Sequence, residues 1–257
     1  MTQTDFNRSL GTVIAERQAD LAEAITNRHY QLKPELHEKY GERGRAKCLQ
    51  DAQYHLSYLA EAITASRPSL FADYVSWARV MLAGRGISET DLADNLAVIR
   101  ESLEKYLPQS EGAVVHEYID AGLKTVIAGP ARLTSFIGDD KPLAGMAADY
   151  LRSLLRGDRH AASRLILDAV ESGTPVRDIY LHVFQQVQHE IGRLWQENRL
   201  SVAQEHYCTA ATQMIMSQLY PYIFASDKNG KTLVATCTSG DLHEIGVRMV
   251  SDFFEME

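Results

Sequence analysis

The sequence predicts a mainly α-helical protein, and three observations support this fold class. Ala, Leu, Glu, Arg and Gln predominate before residue 227, and apolar residues recur there at intervals of three and four. Gly, Pro and Asn residues divide this part into segments of helical length with short connections. Residues 232–238 carry the one convincing strand pattern, and a further helical pattern follows them. We therefore expect helical domains followed by the first strand and helix of an α/β domain.

The first half of the chain contains five predicted helices. Pro34, Pro68 and Pro108 interrupt the helical pattern, because proline lacks the backbone N–H that a helix interior requires. Gly84 suits a helix C-cap, and Ser88 suits the N-cap of the next helix. The predicted helices are residues 6–29, 45–64, 70–83, 88–107 and 110–128.

A boundary between two helical units is predicted at residues 129–142, which carry two Pro, two Gly and two consecutive Asp. Four further helices are predicted over residues 143–156, 159–172, 175–198 and 201–224. Their short connections favour antiparallel neighbours packed as a bundle. The predicted domains are a helical N-terminal domain at residues 1–135, a four-helix domain at 143–226 and the start of a third domain at 230–257.

The composition limits the class of protein. The chain has 257 residues, of which 45% are hydrophobic, so it can bury a full core. The net charge of −8 argues against direct DNA binding. Cys48, Cys208 and Cys237 are far apart, which disfavours a disulfide framework or a thiolate metal site and fits a reducing cytoplasm. We find no signal peptide and no apolar stretch of membrane-spanning length, so we expect no membrane partner.

The chemistry is concentrated in the pattern Asp241-x-His243-x-x-Gly246, which follows the predicted strand. A His at the head of a helix, beyond the carboxyl end of a strand, lies where α/β folds present ligand-contacting groups. Imidazole is a suitable ligand for cobalt as well as zinc. Asp241 can accept the second ring N–H and fix the tautomer, and Gly246 permits close approach of a bulky ligand. The alternative is that His243 is an ordinary polar surface residue.

The run LVATCTSGDLHEIGVRMVSDFF, placed after a helical bundle, resembles the cobalamin-binding domains of the methionine synthase and corrinoid methyltransferase type. The resemblance implies that His243 is the lower axial cobalt ligand and displaces the dimethylbenzimidazole of the cofactor. It also implies that Asp241 is the hydrogen-bond partner of His243 and that the four-helix domain caps the upper face of the corrin. Residues 230–257 are then the start of a Rossmann-like cobalamin-binding domain.

A second pattern, Trp195-x9-Glu205-His206, resembles the signature of adenosylcobalamin-dependent photoreceptors. The resemblance implies that Trp195 packs over the 5′-deoxyadenosyl group and that Glu205 and His206 lie near the upper axial ligand. A Trp near the end of a bundle helix offers a broad apolar face for such a group. The alternative is that Trp195 is a core residue, Glu205 is solvated and His206 bonds to a helix neighbour.

The sequence departs from the complete cobalamin domain after its first helix. A complete domain has five strands, a later Ser/Thr-containing motif and a Gly-Gly motif, and none of these precedes the last residue, Glu257. A lone strand is not stable in water. We therefore expect that this chain is a fragment of a longer protein and that it binds the cofactor weakly by itself.

The N-terminal domain lacks the MerR-type helix-turn-helix unit of the B12 photoreceptor repressors. Its aromatic-rich segments, residues 54–59 and 70–77, loosely resemble small helical sensor domains attached to B12 modules, some of which also carry a bilin. His55 shares a helical stripe with Cys48, so a bilin or haem is a candidate second chromophore. The alternative is that His55 and the aromatic residues Tyr54, Tyr58, Phe71, Tyr74 and Trp77 belong to the core.

These features predict a cytoplasmic, bacterial-type cobalamin-binding signalling protein that is not an enzyme. We expect light sensing through photolysis of the Co–C bond of adenosylcobalamin. The output is expected to be a change in homo-oligomerisation or in contact with a downstream signalling protein. One alternative is a corrinoid carrier that shuttles a methyl group between partner methyltransferases. Another is a helical interaction module without a cofactor.

Overall fold

The computed structural model describes residues 2–128, 133–224, 229–241 and 243–257. Throughout these ranges the regular elements are helices, and no strand is found in them. The mainly α fold class is therefore confirmed. The chain divides into two compact units, residues 1–132 and 133–257. This division lies within the predicted boundary at 129–142, of which residues 129–132 lie outside the described residues.

The N-terminal unit is a helical domain in which α1 and α2 pack against α3, and α4 lies along α6. A continuous apolar core joins the helices, and α5 contributes to it by packing against α2 and α6. The bounds of these elements are α1 Gln3–Glu16, α2 Gln18–Leu32, α3 Glu35–Thr64, α4 Pro68–Ala83, α5 Glu89–Tyr106 and α6 Gln109–Ile127.

The single helix predicted over residues 6–29 is wrong, because the chain turns at Arg17 between α1 and α2. Ile14 of α1 and Leu21 of α2 are both buried against α3. They are seven residues apart, close to two turns of a continuous helix, so the apolar repeat runs across the turn without interruption. Helix α3 also begins earlier than the predicted residue 45, with a bend at Gly41, whose φ of +59° is accessible to glycine at low cost.

Close contact between α1 and α3 depends on Gly11. A Cβ built on Gly11 lies 2.7 Å from the carbonyl oxygen of Ala60, a backbone atom that cannot move without shifting α3. We expect Gly11→Ala to destabilise the N-terminal unit by about 1–3 kcal/mol. Gly112→Ala is the control, because the added Cβ meets no atom within 4 Å. We expect this variant to be slightly more stable than the parent, since Ala is favoured over Gly in a helix by about 1 kcal/mol. Urea unfolding followed by circular dichroism measures both variants, and equal effects would contradict the close contact.

The C-terminal unit is built on a bundle whose core is a second apolar cluster. Helix α7 packs against α8, α11 and the long helical segment that ends with α10. Buried aromatic side chains of Tyr150, Tyr180 and Phe184 fill the centre of the cluster. The elements are α7 Ala144–Leu155, α8 Arg159–Glu171, α9 Val176–Ile179, a π-helical turn Tyr180–Phe184, α10 Gln185–Gln196, α11 Val202–Gln218, α12 Tyr220–Ile223 and α13 Ile245–Glu255.

The helix predicted over residues 175–198 contains a π-helical turn that its apolar pattern does not reveal. Such turns are rare and frequently occur near functional sites. Here the turn begins at Tyr180, whose buried hydroxyl donates a hydrogen bond of 2.8 Å to Asp252 Oδ2 on α13. On the same helix, Arg248 donates from Nη2 to Ser217 Oγ at 2.7 Å and from Nη1 to the Gln213 carbonyl at 3.1 Å. These bonds hold α13 against the bundle.

The strand predicted over residues 232–238 is not formed in the structure. Leu233 and Val234 are exposed, and this stretch runs as irregular backbone. A strand gains its stability from pairing with a neighbour, and the described residues offer no second strand to it. The helix predicted after this segment does form, as α13, and it buries Met249 against the core of the C-terminal unit.

A search of the described residues finds no helix that combines the length and the apolar character needed to cross a membrane.

Candidate functional site

The site begins at the end of α10, where Trp195 is the last residue but one of the helix. Its side chain is partly buried and packs against the core of the C-terminal unit. The chain then reaches Ser201, which caps α11 by accepting a hydrogen bond from the backbone N–H of Gln204. Helix α11 thus starts where the helix over residues 201–224 was predicted to start. The cap fixes the first turns of α11 and therefore the positions of Glu205 and His206.

Glu205 and His206 differ in exposure. The Glu205 side chain is 15% exposed, so the alternative of a solvated carboxylate does not describe it, whereas His206 is 62% exposed. The Nδ1 atom of His206 contacts Glu205 Oε2. A carboxylate held in this way against an imidazole presents a negative and a polar group together at the start of α11.

A hydrogen-bond network that sequence reasoning missed anchors Glu205 to the bundle. The Thr209 hydroxyl lies 3.2 Å from Glu205 Oε1 and 3.2 Å from Gln188 Oε1, and it donates to one of them at a time. Gln188 Nε2 donates to Thr212 Oγ1 at 2.8 Å, and so does the buried hydroxyl of Tyr150 at 3.0 Å. Thr209 therefore lies between the Glu205 carboxylate and the hydrogen-bonded group of Gln188, Thr212 and Tyr150. The available sequence signal was the i, i+4 spacing of Glu205 and Thr209.

Asp241 and His243 form the second part of the site. The backbone N–H of His243 donates to Asp241 Oδ1 at 2.8 Å, and the same oxygen lies 3.4 Å from His243 Nδ1. The carboxylate therefore fixes both the backbone and the ring of His243. Such a partner on Nδ1 leaves Nε2 as the nitrogen that faces other groups.

The two predicted motifs meet in the structure. His243 Nε2 lies 3.9 Å from Glu205 Oε1, and the rings of His206 and His243 are 6.5 Å apart between centroids. The His243 side chain is 65% exposed, so this meeting occurs at the surface of the unit. Four of the six predicted site residues are thus brought together, and Trp195 lies on the helix that precedes them.

Gly246, the last residue of the pattern, lies exposed in α13. A Cβ at Gly246 meets no atom within 4 Å, and the same holds at Gly192, one turn before Trp195. Neither glycine is required by the packing of the described residues. Both leave open space beside candidate site residues, and Gly192 was not among the predicted positions.

The side chains of this site fit a metal ion that a cofactor already coordinates. Across the described ranges no group of three or more His, Cys, Asp or Glu side chains could hold a bare metal ion. An axial ligand to a corrin-bound cobalt requires one imidazole, since the macrocycle supplies the equatorial nitrogens. His243, with Asp241 on its other ring nitrogen, meets that requirement.

In the N-terminal unit the predicted stripe lies largely in the core. His55 is buried, and its Nδ1 lies 2.8 Å from the hydroxyl of Tyr74. Cys48 is partly buried, with Sγ 3.8 Å from His29 Nδ1, and burial raises the pKa of its thiol to about 11. Of the aromatic residues assigned to the core as the alternative, Phe71 and Tyr74 are buried, while Tyr54, Tyr58 and Trp77 are exposed.

Two family models match the chain, one in each unit. Residues 146–220, within α7 to α12, match the model of the B12 binding domain. Residues 9–125, within α1 to α6, match the model of phycobilisome proteins. No curated protein and no solved structure matches the chain.

The B12 match agrees with the cobalamin-binding prediction for the four-helix domain, whereas the similarity to phycobilisome proteins was not predicted. That similarity extends over residues 9–125, which is most of the N-terminal unit. The C-terminal part of the chain therefore contains a B12 binding domain, and the N-terminal unit is similar to phycobilisome proteins.

Proposed function

We propose that the protein is a light sensor that holds adenosylcobalamin between the cap residues Trp195, Glu205 and His206 and the axial ligand His243. The B12 binding domain supports cobalamin binding itself. The observation that supports a site for adenosylcobalamin between these residues is the contact of Glu205 with His243, whose Oε1 and Nε2 atoms lie 3.9 Å apart. Groups assigned to opposite faces of a corrin thus converge on one place.

The residues of the site have separate tasks in this proposal. Asp241 holds the His243 ring through Nδ1, so that Nε2 is the nitrogen left to bind cobalt. Because Nε2 lies close to Glu205, His243 and Glu205 must separate to admit a planar cofactor. Because His206 and His243 are both exposed, such a movement breaks few buried contacts.

Adenosylcobalamin supplies a cobalt–carbon bond that light breaks. Trp195 would hold the adenosyl group against its apolar face, so the packing of Trp195 would depend on whether that group is bound. The Thr209 hydroxyl donates either to Glu205 or to Gln188 of the bundle, so a change at Glu205 alters which of the two receives this hydrogen bond. We propose that the result is a change in homo-oligomerisation or in contact with a signalling partner in the cytoplasm, without catalytic turnover.

The test loads the protein that carries this sequence with adenosylcobalamin in the dark and exposes it to green light. We expect the absorption spectrum to change on illumination and the elution volume on gel filtration to change with it. Trp195→Ala is expected to bind cobalamin but to lose the light-dependent change in elution. Trp77→Phe, which alters the other Trp of the chain, is the control and should respond like the parent. A spectrum that stays constant under illumination would exclude the photoreceptor.

A corrinoid methyl carrier is the second candidate, because the exposed imidazoles of His206 and His243 make the site reachable by a partner enzyme. A carrier bound to methylcobalamin transfers its methyl group to an acceptor thiol in the presence of a methyltransferase, and the transfer does not depend on light. The light sensor changes its spectrum under illumination without any acceptor. Adding the acceptor and the methyltransferase in the dark therefore distinguishes the two functions, because only the carrier transfers its methyl group under these conditions.

We also propose that the N-terminal unit binds a bilin. The similarity to phycobilisome proteins favours a bilin over haem, and the buried His55 ring, bonded to Tyr74, is a poor haem ligand. The raised pKa of Cys48 makes its thiol a weak nucleophile, so we expect the bilin to bind without a thioether bond. Added biliverdin should shift its absorption on binding and separate from the chain on a denaturing gel. Absence of any shift would contradict bilin binding.

A further inference from the structure

The N-terminal unit contains a buried tyrosine–histidine pair that the proposed function does not use. The Tyr74 hydroxyl on α4 lies 2.8 Å from Nδ1 of His55 on α3. Both side chains are buried, and both belong to well-packed helices of the core. A hydrogen bond of this length permits proton transfer between the two groups.

The protonation states of the pair are set by burial. Burial lowers the pKa of His55 to about 4, so the ring is neutral near pH 7 and has one nitrogen free to accept a proton. Burial, followed by the nearby Asp51 charge, raises the pKa of Tyr74, so the phenol stays protonated. The resting pair is therefore a neutral phenol that donates to a neutral imidazole.

A stack of aromatic rings connects this pair to the surface. The Tyr58 ring lies parallel to the Tyr74 ring, with 3.9 Å between centroids and 10° between planes. The Trp77 ring lies further from the Tyr74 ring, with 6.3 Å between centroids and 26° between planes. Tyr58 is 50% exposed and Trp77 is 40% exposed, so an oxidant in solution can reach both. Electrons pass readily between aromatic rings at these separations.

We propose that Tyr74 is a redox-active tyrosine, with His55 as its internal proton acceptor and Tyr58 and Trp77 as the route by which electrons leave. One electron passes from Tyr74 to a one-electron oxidant at the surface, such as an organic radical cation or a photo-oxidised metal complex. The phenolic proton moves at the same time to His55 Nδ1, which leaves a neutral tyrosyl radical beside an imidazolium. A one-electron reductant such as ascorbate returns the electron, and the proton returns from His55 to the phenolate oxygen.

The radical resides on Tyr74 because His55 accepts its proton. Oxidation of a phenol without loss of its proton produces a high-energy radical cation, and Tyr58, which is exposed, can lose its proton only to solvent. Tyr74 has a base within hydrogen-bonding distance in a site from which water is largely excluded. The oxidising equivalent that enters at Tyr58 or Trp77 therefore moves inward to Tyr74. This activity requires neither cobalamin nor a bilin.

The test oxidises the full chain with photogenerated tris(bipyridine)ruthenium(III) and detects the tyrosyl radical by transient absorption and electron paramagnetic resonance. We expect a long-lived radical whose rate of formation does not depend on the concentration of buffer base. Tyr74→Phe should abolish the long-lived signal. His55→Gln should shorten its lifetime severalfold and make its formation depend on buffer base. Tyr118→Phe, which removes another buried phenol, is the control and should leave the signal unchanged.

A long-lived signal in Tyr74→Phe equal to that of the parent, or a His55→Gln signal that keeps its lifetime, would overturn the proposal. Circular dichroism checks that both core variants fold. The double variant Tyr58→Phe/Trp77→Phe changes two exposed rings and keeps the buried pair, so it tests the route even if the core variants fail to fold. We expect it to form the Tyr74 radical severalfold more slowly, and an unchanged rate would refute the stack as the electron route.

Discussion

Replacing His243 with Ala is expected to lower the affinity for cobalamin by at least about tenfold and to change the absorption spectrum of the bound cofactor. The imidazole is the axial nitrogen in our proposal, and its loss leaves cobalt with water or with the cofactor's own base. Asp241→Ala should lower the affinity by about 10–100-fold, because Asp241 Oδ1 orients both the backbone and the ring of His243. Equilibrium dialysis in the dark measures both effects.

The matched control for this prediction is His160→Ala, which removes an exposed imidazole from α8. It should bind cobalamin with the parent's affinity and spectrum. If His243→Ala keeps the parent's spectrum, the axial ligand is another group and the assignment of His243 is wrong. If His160→Ala and His243→Ala lose affinity equally, the effect is not specific to the site.

The largest effect on stability is expected from Arg193→Met in α10. Arg193 and Glu190 form a two-pronged ion pair, with Nη2 2.6 Å from Oε1 and Nε 3.0 Å from Oε2. Their side chains are 9% and 7% exposed. Removing one partner of a buried pair leaves the other charge uncompensated, which costs about 3–5 kcal/mol. Urea unfolding of the C-terminal unit, followed by circular dichroism, measures the loss.

The double variant Glu190→Gln/Arg193→Met is the control for this loss. Glu190 Oε2 also accepts a hydrogen bond of 2.9 Å from the backbone N–H of Phe136, and a Gln retains that acceptor while removing the charge. We therefore expect the double variant to recover a large part of the stability that Arg193→Met loses. A double variant no more stable than Arg193→Met would show that packing of the Arg193 side chain, and not its charge, is what matters.

The same pair predicts how stability depends on pH. Burial by itself raises the pKa of Glu190, but the hydrogen bonds from Arg193 and Phe136 outweigh it and hold the pKa below its ordinary value of 4.5. The stabilisation is therefore present above the ordinary pKa and is lost as the pH falls through the lowered pKa. Arg193→Met removes the Arg193 hydrogen bonds and charge that lower this pKa and keeps the burial that raises it. We therefore expect the variant to gain stability on acidification where the parent loses it. A parallel response of the two proteins would contradict this account.

Helix starts were predicted correctly where a local sequence pattern determines them. The capped start of α5 at Ser88 and the start of α11 at Ser201 both form as predicted, because capping depends on residues within one turn. The turn at Arg17 was missed, because the apolar repeat of α1 and α2 continues across it. The prediction of a strand at residues 232–238 was wrong, because a strand forms only with a neighbouring strand to pair with, however many β-branched residues it contains.

The candidate site was predictable only in part for the same reason. Each motif is local, so Asp241 with His243 and Glu205 with His206 could be identified from spacing. The contact between the motifs and the network through Thr209 depend on how α10, α11 and residues 241–243 pack, which no spacing records. The phycobilisome similarity of the N-terminal unit is likewise spread over its helices.

Electron paramagnetic resonance of the reduced cobalt(II) form is the sharpest test of whether His243 is the axial ligand of bound cobalamin. The unpaired electron couples to the axial nitrogen, so the splitting pattern reports which nitrogen that is. We predict that growing the protein with ¹⁵N-labelled histidine changes the splitting and that His243→Ala abolishes the change. A pattern that is the same with labelled and unlabelled histidine would show that no histidine binds the cobalt, and His243 would then not be the axial ligand.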